Sequence, residues 1–120
     1  MFRVTVSSTF NAVHSVTMRG IDETPHNHEW KVAIVIEGAS LDADGLLINF
    51  IEIERQLEQI IKPLKDSNLN EIDTLGGENP SAERVAIYIG DAMMKQIGSP
   101  VRIQSVIVTE AENCQATYEL

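Results

Sequence analysis

Hydrophobic and polar residues alternate at the start of the chain, where Phe2, Val4 and Val6 are separated by polar residues. Because successive side chains of a strand point to opposite faces, this alternation predicts a half-buried first strand. A longer apolar run predicts a second strand over residues 28–37. Residues 11–25 between them contain a glycine and a proline and predict an irregular connection.

Two helices are predicted in the middle of the chain. The segment 50–64 places apolar residues three and four positions apart, which is the spacing of one helical face; these residues are Ile53, Leu57, Ile60, Ile61 and Leu64. A second helix is predicted to begin with Asn79 as N-cap and Pro80 in the first turn, and to end near Ile97 with Gly98 as a left-handed stop.

Segments 101–110 and 114–120 predict two closing strands, so the element order is ββααββ. This order predicts an α+β fold in one domain, residues 1–120, with a four-stranded antiparallel sheet and two helices on one face. The edges of such a sheet are exposed, and pairing them between subunits into a closed barrel is the simplest protection. We therefore expect a homo-oligomer; the alternative is a monomeric α+β sandwich.

The composition of the 120 residues limits the classes of partner and compartment that the protein is expected to have. The net charge of −9 argues against nucleic acid, because phosphate binding needs clustered cations. Cys114 is the only cysteine, which excludes an internal disulfide and fits a reducing cytoplasm. The alternating N-terminus does not resemble a signal peptide, and no apolar run reaches the roughly 20 residues of a membrane span.

The histidines are the most informative residues for function. His26 and His28 are separated by one residue, so in an extended chain both imidazoles point to one face, and His14 in the neighbouring segment can add a third. Three imidazoles with one open position form the ligand set of a catalytic zinc ion. The alternatives are a metal that is only structural, ordinary hydrogen-bonded histidines, and a cupin-like site. The cupin-like site is disfavoured because no histidine follows His28.

Six short motifs occur along the chain in a specific order, and the first two contain the three histidines. They are Phe10-Asn11-Ala12-Val13-His14, His26-Asn27-His28, Gly45-Leu46-Leu47-Ile48-Asn49-Phe50, Leu69-Asn70, Asn79-Pro80-Ser81-Ala82-Glu83 and Glu110. With the order ββααββ between them, they resemble the motifs of the 6-pyruvoyl-tetrahydropterin synthase / 6-carboxy-tetrahydropterin synthase family. The resemblance covers nearly the whole chain.

The resemblance implies a tunnelling fold in which trimers close a barrel and two trimers stack into a homohexamer. It implies zinc held by the three histidines and a pterin-anchoring carboxylate at Glu110, which can accept two parallel N–H bonds from the pterin. Ser81 and Glu83 match positions that line the pterin pocket. The implied substrate is 7,8-dihydroneopterin triphosphate or a related dihydropterin.

The chain also departs from the family pattern. Residues 18–25, before the His-x-His pair, lack the usual catalytic cysteine, and Cys114 lies in the last predicted strand, where it cannot replace it. The slot of the usual Asp-His pair holds Lys65 and Asp66, and the aspartate of the Asp-Phe motif is Asn49. No histidine is left over to act as acid or base.

These departures favour a carboxylate in place of the thiol, with side-chain cleavage to a 6-hydroxymethyl-dihydropterin. Glu23 is the first candidate for the base and Asp22 the second, because a nearby zinc ion would keep a carboxylate ionised. Asp66 would orient this base or relay a proton. The alternatives are a respecialised protein that binds a pterin or purine without turnover, and a 6-carboxy-tetrahydropterin synthase of deazapurine biosynthesis.

Overall fold

The computed structural model describes residues 1–120. It contains seven strands and two helices, in the order β1 (Phe2–His14), β2 (Thr17–Met18), β3 (Ile21–Asp22), β4 (His26–Gly38), α1 (Phe50–Ile61), β5 (Ser67–Asn68), α2 (Ala82–Met94), β6 (Arg102–Ala111) and β7 (Cys114–Glu119). The four long strands and both helices follow the predicted order ββααββ, and the α+β class is confirmed.

The main sheet has five strands in the order β5-β1-β4-β6-β7. The prediction of a four-stranded antiparallel sheet is therefore wrong in one respect, because β5 adds two residues in parallel to β1. The Asp66 N–H donates to the Asn11 carbonyl over 2.7 Å, and the Leu69 N–H donates to the Val13 carbonyl over 2.8 Å. These bonds hold the segment that follows α1 against the end of β1.

Strand β1 is longer than its hydrophobic alternation indicates. It continues to His14, which pairs with His26 at the beginning of β4, while Ala12 pairs with His28. The connection predicted to be irregular is therefore partly strand. It also contains the small hairpin of β2 and β3, whose turn residues Arg19 and Gly20 have φ angles of 53° and 78°.

The hydrophobic core lies between one face of the sheet and the two helices. Helix α1 packs on β1, while α2 packs on β6 and β7 and also touches α1. The contact of α2 with the sheet is close at Gly90, where an added Cβ would lie 2.9 Å from the Tyr118 ring. The largest fully buried side chains include Trp30, Ile34, Ile36, Leu57 and Ile89.

Helix α2 begins and ends at other residues than the sequence predicts. Its N-cap is Ser81, whose side chain accepts a hydrogen bond from the Arg84 N–H over 3.2 Å. Asn79 is not the cap, because its amide bonds the backbone of Thr17. The helix ends at Met94, and Gly98 is not among the residues with positive φ, so the predicted left-handed stop is wrong.

Both long edges of the sheet lack a neighbouring strand over most of their length. Strand β7 is an edge, and β5 covers only Ala12 and Val13 of β1. Barrel closure between subunits stays a prediction. Neither helix is long and apolar enough to cross a membrane.

Candidate metal centre and active-site cleft

The register between β1 and β4 brings the three histidines together. His14 lies directly opposite His26, and His28 follows two residues later on the same face of β4. The ring centroids are 4.7 Å apart for His14 and His26, 4.4 Å for His26 and His28, and 5.4 Å for His14 and His28. The sequence-based prediction that these imidazoles converge is therefore met by the geometry.

Glu110 joins this group from β6. The register between β6 and β7 shifts between Thr109 and Ala111, so Glu110 lies at a bulge, a feature that re-aims side chains near functional sites. Its Oε1 contacts Nε2 of His14 and lies 3.7 Å from Nε2 of His28. One ligand atom from each of the three histidines and Glu110 lies within 4.8 Å of the others.

Backbone carbonyls fix the orientation of two imidazole rings. Nδ1 of His14 lies 2.7 Å from the Pro80 carbonyl oxygen, and Nδ1 of His26 lies 2.8 Å from that of Thr24. Because a carbonyl only accepts, both Nδ1 atoms carry hydrogen, and in the neutral form of each ring the lone pair is on Nε2. Histidines that ligate a metal through one ring nitrogen typically donate the other ring N–H to a carbonyl or carboxylate in this way.

The Nε2 atom of His14 is buried and faces the Glu110 carboxylate. His14 is 1% exposed, and its Nε2 has no hydrogen-bond partner, although the Glu110 carboxylate is in contact with it. A lone pair facing a carboxylate oxygen is repulsive unless a positive charge lies between them. Three imidazole nitrogens and one carboxylate therefore fit a divalent metal ion.

His28 is held in the form that binds metals. Burial lowers the pKa of His28, and the neighbouring His26 imidazole lowers it further, while the Glu110 carboxylate acts in the opposite direction. A lowered pKa keeps the imidazole neutral near pH 7, with its lone pair available. Trp30 packs against the histidine cluster. Its ring centroid is 4.8 Å from that of His14, and its Nε1–H donates to the Ala12 carbonyl.

A cleft of about 530 Å³ extends from this cluster, and its volume suits a ligand of bicyclic-ring size with a substituent. It lies between the β2–β3 hairpin and the beginning of α2. Its lining residues are Val16, Met18, Glu23, Glu78, Asn79, Ser81, Ala82, Glu83, Arg84 and Glu110. Four of the sequence-predicted site residues, namely Glu23, Ser81, Glu83 and Glu110, thus border one space.

Glu23 lies at the end of the cleft next to the histidines. Its Oε1 is 4.0 Å from Nε2 of His26 and accepts a hydrogen bond from the Val16 N–H over 3.0 Å. The Glu23 N–H donates in turn to the Val16 carbonyl over 3.0 Å. These two bonds hold Glu23 beside the three histidines. Asp22 is directed elsewhere, because its carboxylate accepts from the Thr17 hydroxyl.

Ser81 and Glu83 lie at the opposite wall, at the beginning of α2. The Ser81 hydroxyl caps the helix, so its first role is structural. Glu83 is exposed in the first turn and also borders, with Glu110 and Cys114, a second cavity of about 400 Å³. Cys114 lines only that neighbouring space, not the cleft beside the histidines.

The structure does not bring Asp66 to this site. Asp66 is neither in the histidine cluster nor in the lining of the cleft. It has a φ angle of 57° in the turn before β5, where its N–H bonds the Asn11 carbonyl. Its position is that of a turn former, a role that aspartate often takes. Asn49 likewise acts as the N-cap of α1, with its side chain accepting from the Ile51 N–H.

Two asparagines hold the chain around the site, a role that the sequence predicted for neither of them. Asn70 accepts from the Ser15 N–H and donates to the Ser15 carbonyl, at 2.8 and 2.7 Å. Asn79 does the same for Thr17, at 3.0 and 2.8 Å. Each amide thus imitates a neighbouring strand and fixes the segment that follows His14. Their membership in the Leu-Asn and Asn-Pro motifs was the only available signal.

Comparisons with known sequences agree with this architecture. The family profile described as 6-pyruvoyl tetrahydropterin synthase matches residues 3–120. A dihydroneopterin monophosphate aldolase of Pyrococcus furiosus is 25% identical over 108 residues, which cover 90% of this chain and 89% of that protein. The human 6-pyruvoyl tetrahydrobiopterin synthase is 28% identical over 96 residues, covering 78% of this chain and 66% of the human protein.

Solved structures share the fold. The 6-pyruvoyl tetrahydropterin synthase of Caenorhabditis elegans superposes with a TM-score of 0.84 at 15% identity, covering 98% of this chain and 94% of that one. The Plasmodium vivax protein of the same name gives 0.78 at 19% identity, covering 98% and 96%. Two further structures of the Plasmodium vivax protein carry substitutions of a glutamate described as a catalytic residue.

Proposed function

The chain belongs to the 6-pyruvoyl tetrahydropterin synthase family, and on that premise we propose that it is a zinc-dependent enzyme cleaving the side chain of a phosphorylated 7,8-dihydroneopterin. The product is a 6-hydroxymethyl-dihydropterin. One observation carries the proposal: the Glu23 carboxylate lies 4.0 Å from Nε2 of His26 in a cleft whose lining contains no thiol. In this proposal the Glu23 carboxylate takes the role of the family's usual catalytic cysteine.

His14, His26 and His28 would hold the zinc ion through their Nε2 atoms. The bonds from Nδ1 of His14 and His26 direct the Nε2 atoms of both rings to the cluster, and the lowered pKa of His28 favours its neutral form. Bound zinc would supply Lewis-acid polarisation of the substrate's side-chain oxygens. The carboxylate of Glu110 would offset part of the charge of a bound metal ion.

Glu23 is the base in this proposal. It takes the proton from the hydroxyl on the second side-chain carbon, and the bond between the first and second carbons breaks. The hydroxyl carbon leaves as an aldehyde that carries the phosphate, and the electron pair on the first carbon is delocalised into the C=N bond of the dihydropterin ring. Protonation of that carbon gives the hydroxymethyl product. A positioned carboxylate suits proton transfer of this kind.

The pterin ring needs a carboxylate that pairs with its amino and ring N–H groups. Glu110, the first candidate from the sequence, contacts the metal-facing nitrogen of His14, so its charge is partly engaged there. Glu83 is exposed at the other wall and is not in an ion pair. We therefore propose Glu83 as the main anchor, with Glu110 at the border between metal and pterin. The Ser81 hydroxyl shapes this wall as the cap of α2.

The aldolase activity in the name of the Pyrococcus relative supports cleavage as the reaction type. The catalytic glutamate of the Plasmodium vivax protein provides a precedent for a carboxylate in this role within the fold. The unpaired edges of β1 and β7 support the family's assembly into a homohexamer built from two trimers.

A second candidate function is pterin binding without turnover. It is favoured by one observation, the position of Asp66 outside the cleft, which leaves Glu23 without the expected relay partner. In this case the zinc-loaded protein would bind a dihydropterin and return it unchanged. A 6-carboxy-tetrahydropterin synthase would instead return a 6-carboxy product.

The experiment is incubation of the zinc-loaded protein with the mono- and triphosphates of 7,8-dihydroneopterin, followed by mass-resolved chromatography. We expect a 6-hydroxymethyl-dihydropterin from at least one of them. A 6-pyruvoyl or 6-carboxy product would assign the protein to the other chemistry of the family. Unchanged substrate with measurable binding would establish the second candidate.

A further inference from the structure

The cleft is strongly acidic apart from one side chain. Its lining includes four carboxylates, Glu23, Glu78, Glu83 and Glu110, and a single cation, Arg84. An anionic substituent on a substrate is repelled by these carboxylates at neutral pH. Apart from a bound metal ion, Arg84 is the only positively charged group that this chain contributes to the lining.

Arg84 is placed in the cleft by the local structure of α2. The Ser81 hydroxyl caps the helix at the Arg84 N–H, so the backbone of Arg84 lies in a defined first turn. This bond involves only the backbone of Arg84 and persists whatever side chain stands there. The guanidinium therefore projects from a fixed point at the rim of the cleft.

The ion partner of Arg84 holds it only loosely. One nitrogen of the guanidinium lies 3.7 Å from Oε2 of Glu78, and the two side chains are 48% and 57% exposed. An exposed, single-contact pair of this kind contributes little to stability. The planar guanidinium can exchange it for a bidentate pair with a phosphate group, which is shorter and stronger.

We propose that Arg84 is the phosphate-binding residue of the cleft and gives the enzyme a preference for a monophosphate ester over a triphosphate. This proposal rests on the phosphorylated dihydropterin of the proposed function. One guanidinium matches one phosphate group. The added charge of a triphosphate would have no further cation in the lining and would face the carboxylates of Glu78 and Glu83.

The test compares ligand binding by calorimetry with the zinc-loaded protein and its Arg84→Gln variant. The probes are 7,8-dihydroneopterin, its monophosphate and its triphosphate. We expect the wild type to bind the monophosphate most tightly. Arg84→Gln should weaken monophosphate binding about tenfold or more, the scale of one lost charge-assisted pair, and leave the unphosphorylated compound unchanged.

Two further variants sharpen the result. Arg55→Gln removes an arginine of a similar exposed pair, Arg55 with Glu52 on α1, outside the cleft, and should leave all three affinities unchanged. Glu78→Gln removes the competing carboxylate and should strengthen monophosphate binding. Circular dichroism checks that each variant is folded.

The outcomes separate this inference from the proposed function. Equal binding of phosphorylated and unphosphorylated compounds, or equal losses for all three in Arg84→Gln, would overturn the role of Arg84 even if turnover is observed. Tighter binding of the triphosphate than of the monophosphate would overturn the stated preference. A phosphate-dependent loss in Arg84→Gln without turnover by the wild type would support Arg84 while removing the catalytic proposal.

Discussion

The Pro80 carbonyl accepts a hydrogen bond from Nδ1 of His14 over a distance of 2.7 Å. This bond joins the most buried of the three clustered histidines to the residue just before the cap of α2. It fixes which nitrogen of His14 faces His26 and His28, and it places the beginning of α2, which lines the cleft, against the histidine cluster. The Asn-Pro-Ser segment therefore connects the histidine cluster to the wall of the cleft formed by α2.

Removal of one imidazole should abolish the metal site. We expect His28→Ala to lower zinc affinity by more than about 100-fold, since loss of a hydrogen-bond partner of a metal ligand alone can reach that scale, and to abolish turnover. His28 is only partly buried, so the variant should fold. Asn27→Ala, on the opposite face of β4, is the matched control. Competition with a chromophoric chelator measures the affinity; zinc binding at wild-type strength by His28→Ala would refute the assignment.

Glu23 should act on the chemical step and not on binding. We expect Glu23→Gln to lower kcat by about 10²- to 10⁴-fold, the usual contribution of a general base, with little change in dihydropterin affinity. Asp22→Asn alters the neighbouring carboxylate, which bonds Thr17, and should keep most of the activity. Steady-state kinetics and calorimetry together separate the two effects. A Glu23→Gln protein with full kcat would remove Glu23 from the mechanism.

Glu83 and Glu110 should differ in the ligand that each one binds. We expect Glu83→Gln to weaken pterin binding by on the order of 1.5–3 kcal/mol, the scale of a hydrogen bond to a charged group, with zinc affinity unchanged. Glu110→Gln should lower zinc affinity, because its carboxylate contacts the His14 nitrogen. Calorimetry with zinc and with the dihydropterin gives both values. If only Glu110→Gln weakens pterin binding, the anchor is Glu110.

A carboxylate far from the cleft should govern stability in acid. Hydrogen bonding from Arg3 lowers the pKa of Glu37 below its ordinary 4.5, with Arg102 adding to the effect. A lowered pKa means that the folded state binds the proton less readily, so the stabilisation is present above pH 4.5 and is lost as the pH falls through the lowered value.

We therefore expect Glu37→Gln to be less stable than the wild type at pH 7 and to lose less stability on acidification. Glu112→Gln, in an exposed turn, is the control and should follow the wild type. Urea unfolding at a series of pH values between neutrality and acid measures the difference. Parallel pH profiles for Glu37→Gln and the wild type would contradict the role of this ion pair.

Periodicity and residue type predicted the features that depend on local sequence. The alternation in β1, the apolar face of α1 and the His-x-His spacing each express a geometry that a few residues impose by themselves. Convergence of His14 with His26 and His28 required only that the first two long strands pair, which their adjacency in the sequence favours.

Features that depend on distant partners could not be predicted. Asn79 and Ser81 are both good N-caps, and the choice of Ser81 follows from the bonds between Asn79 and Thr17, which is 62 residues away. The contact of Glu110 with His14 depends on the register of β4 with β6 and on the bulge at Glu110. The turn that carries Asp66 away from the cleft depends on its bond to Asn11.

The most direct test of the central claim is turnover of 7,8-dihydroneopterin monophosphate by the zinc-loaded protein in deuterated water, with both products resolved by mass. Cleavage by the proposed route predicts a 6-hydroxymethyl-dihydropterin with one solvent-derived deuterium on the hydroxymethyl carbon, and an equal amount of a two-carbon aldehyde phosphate. The Glu23→Gln variant should form both products at least about 100-fold more slowly. Release of the phosphate with the whole side-chain carbon skeleton retained on the pterin would contradict the account.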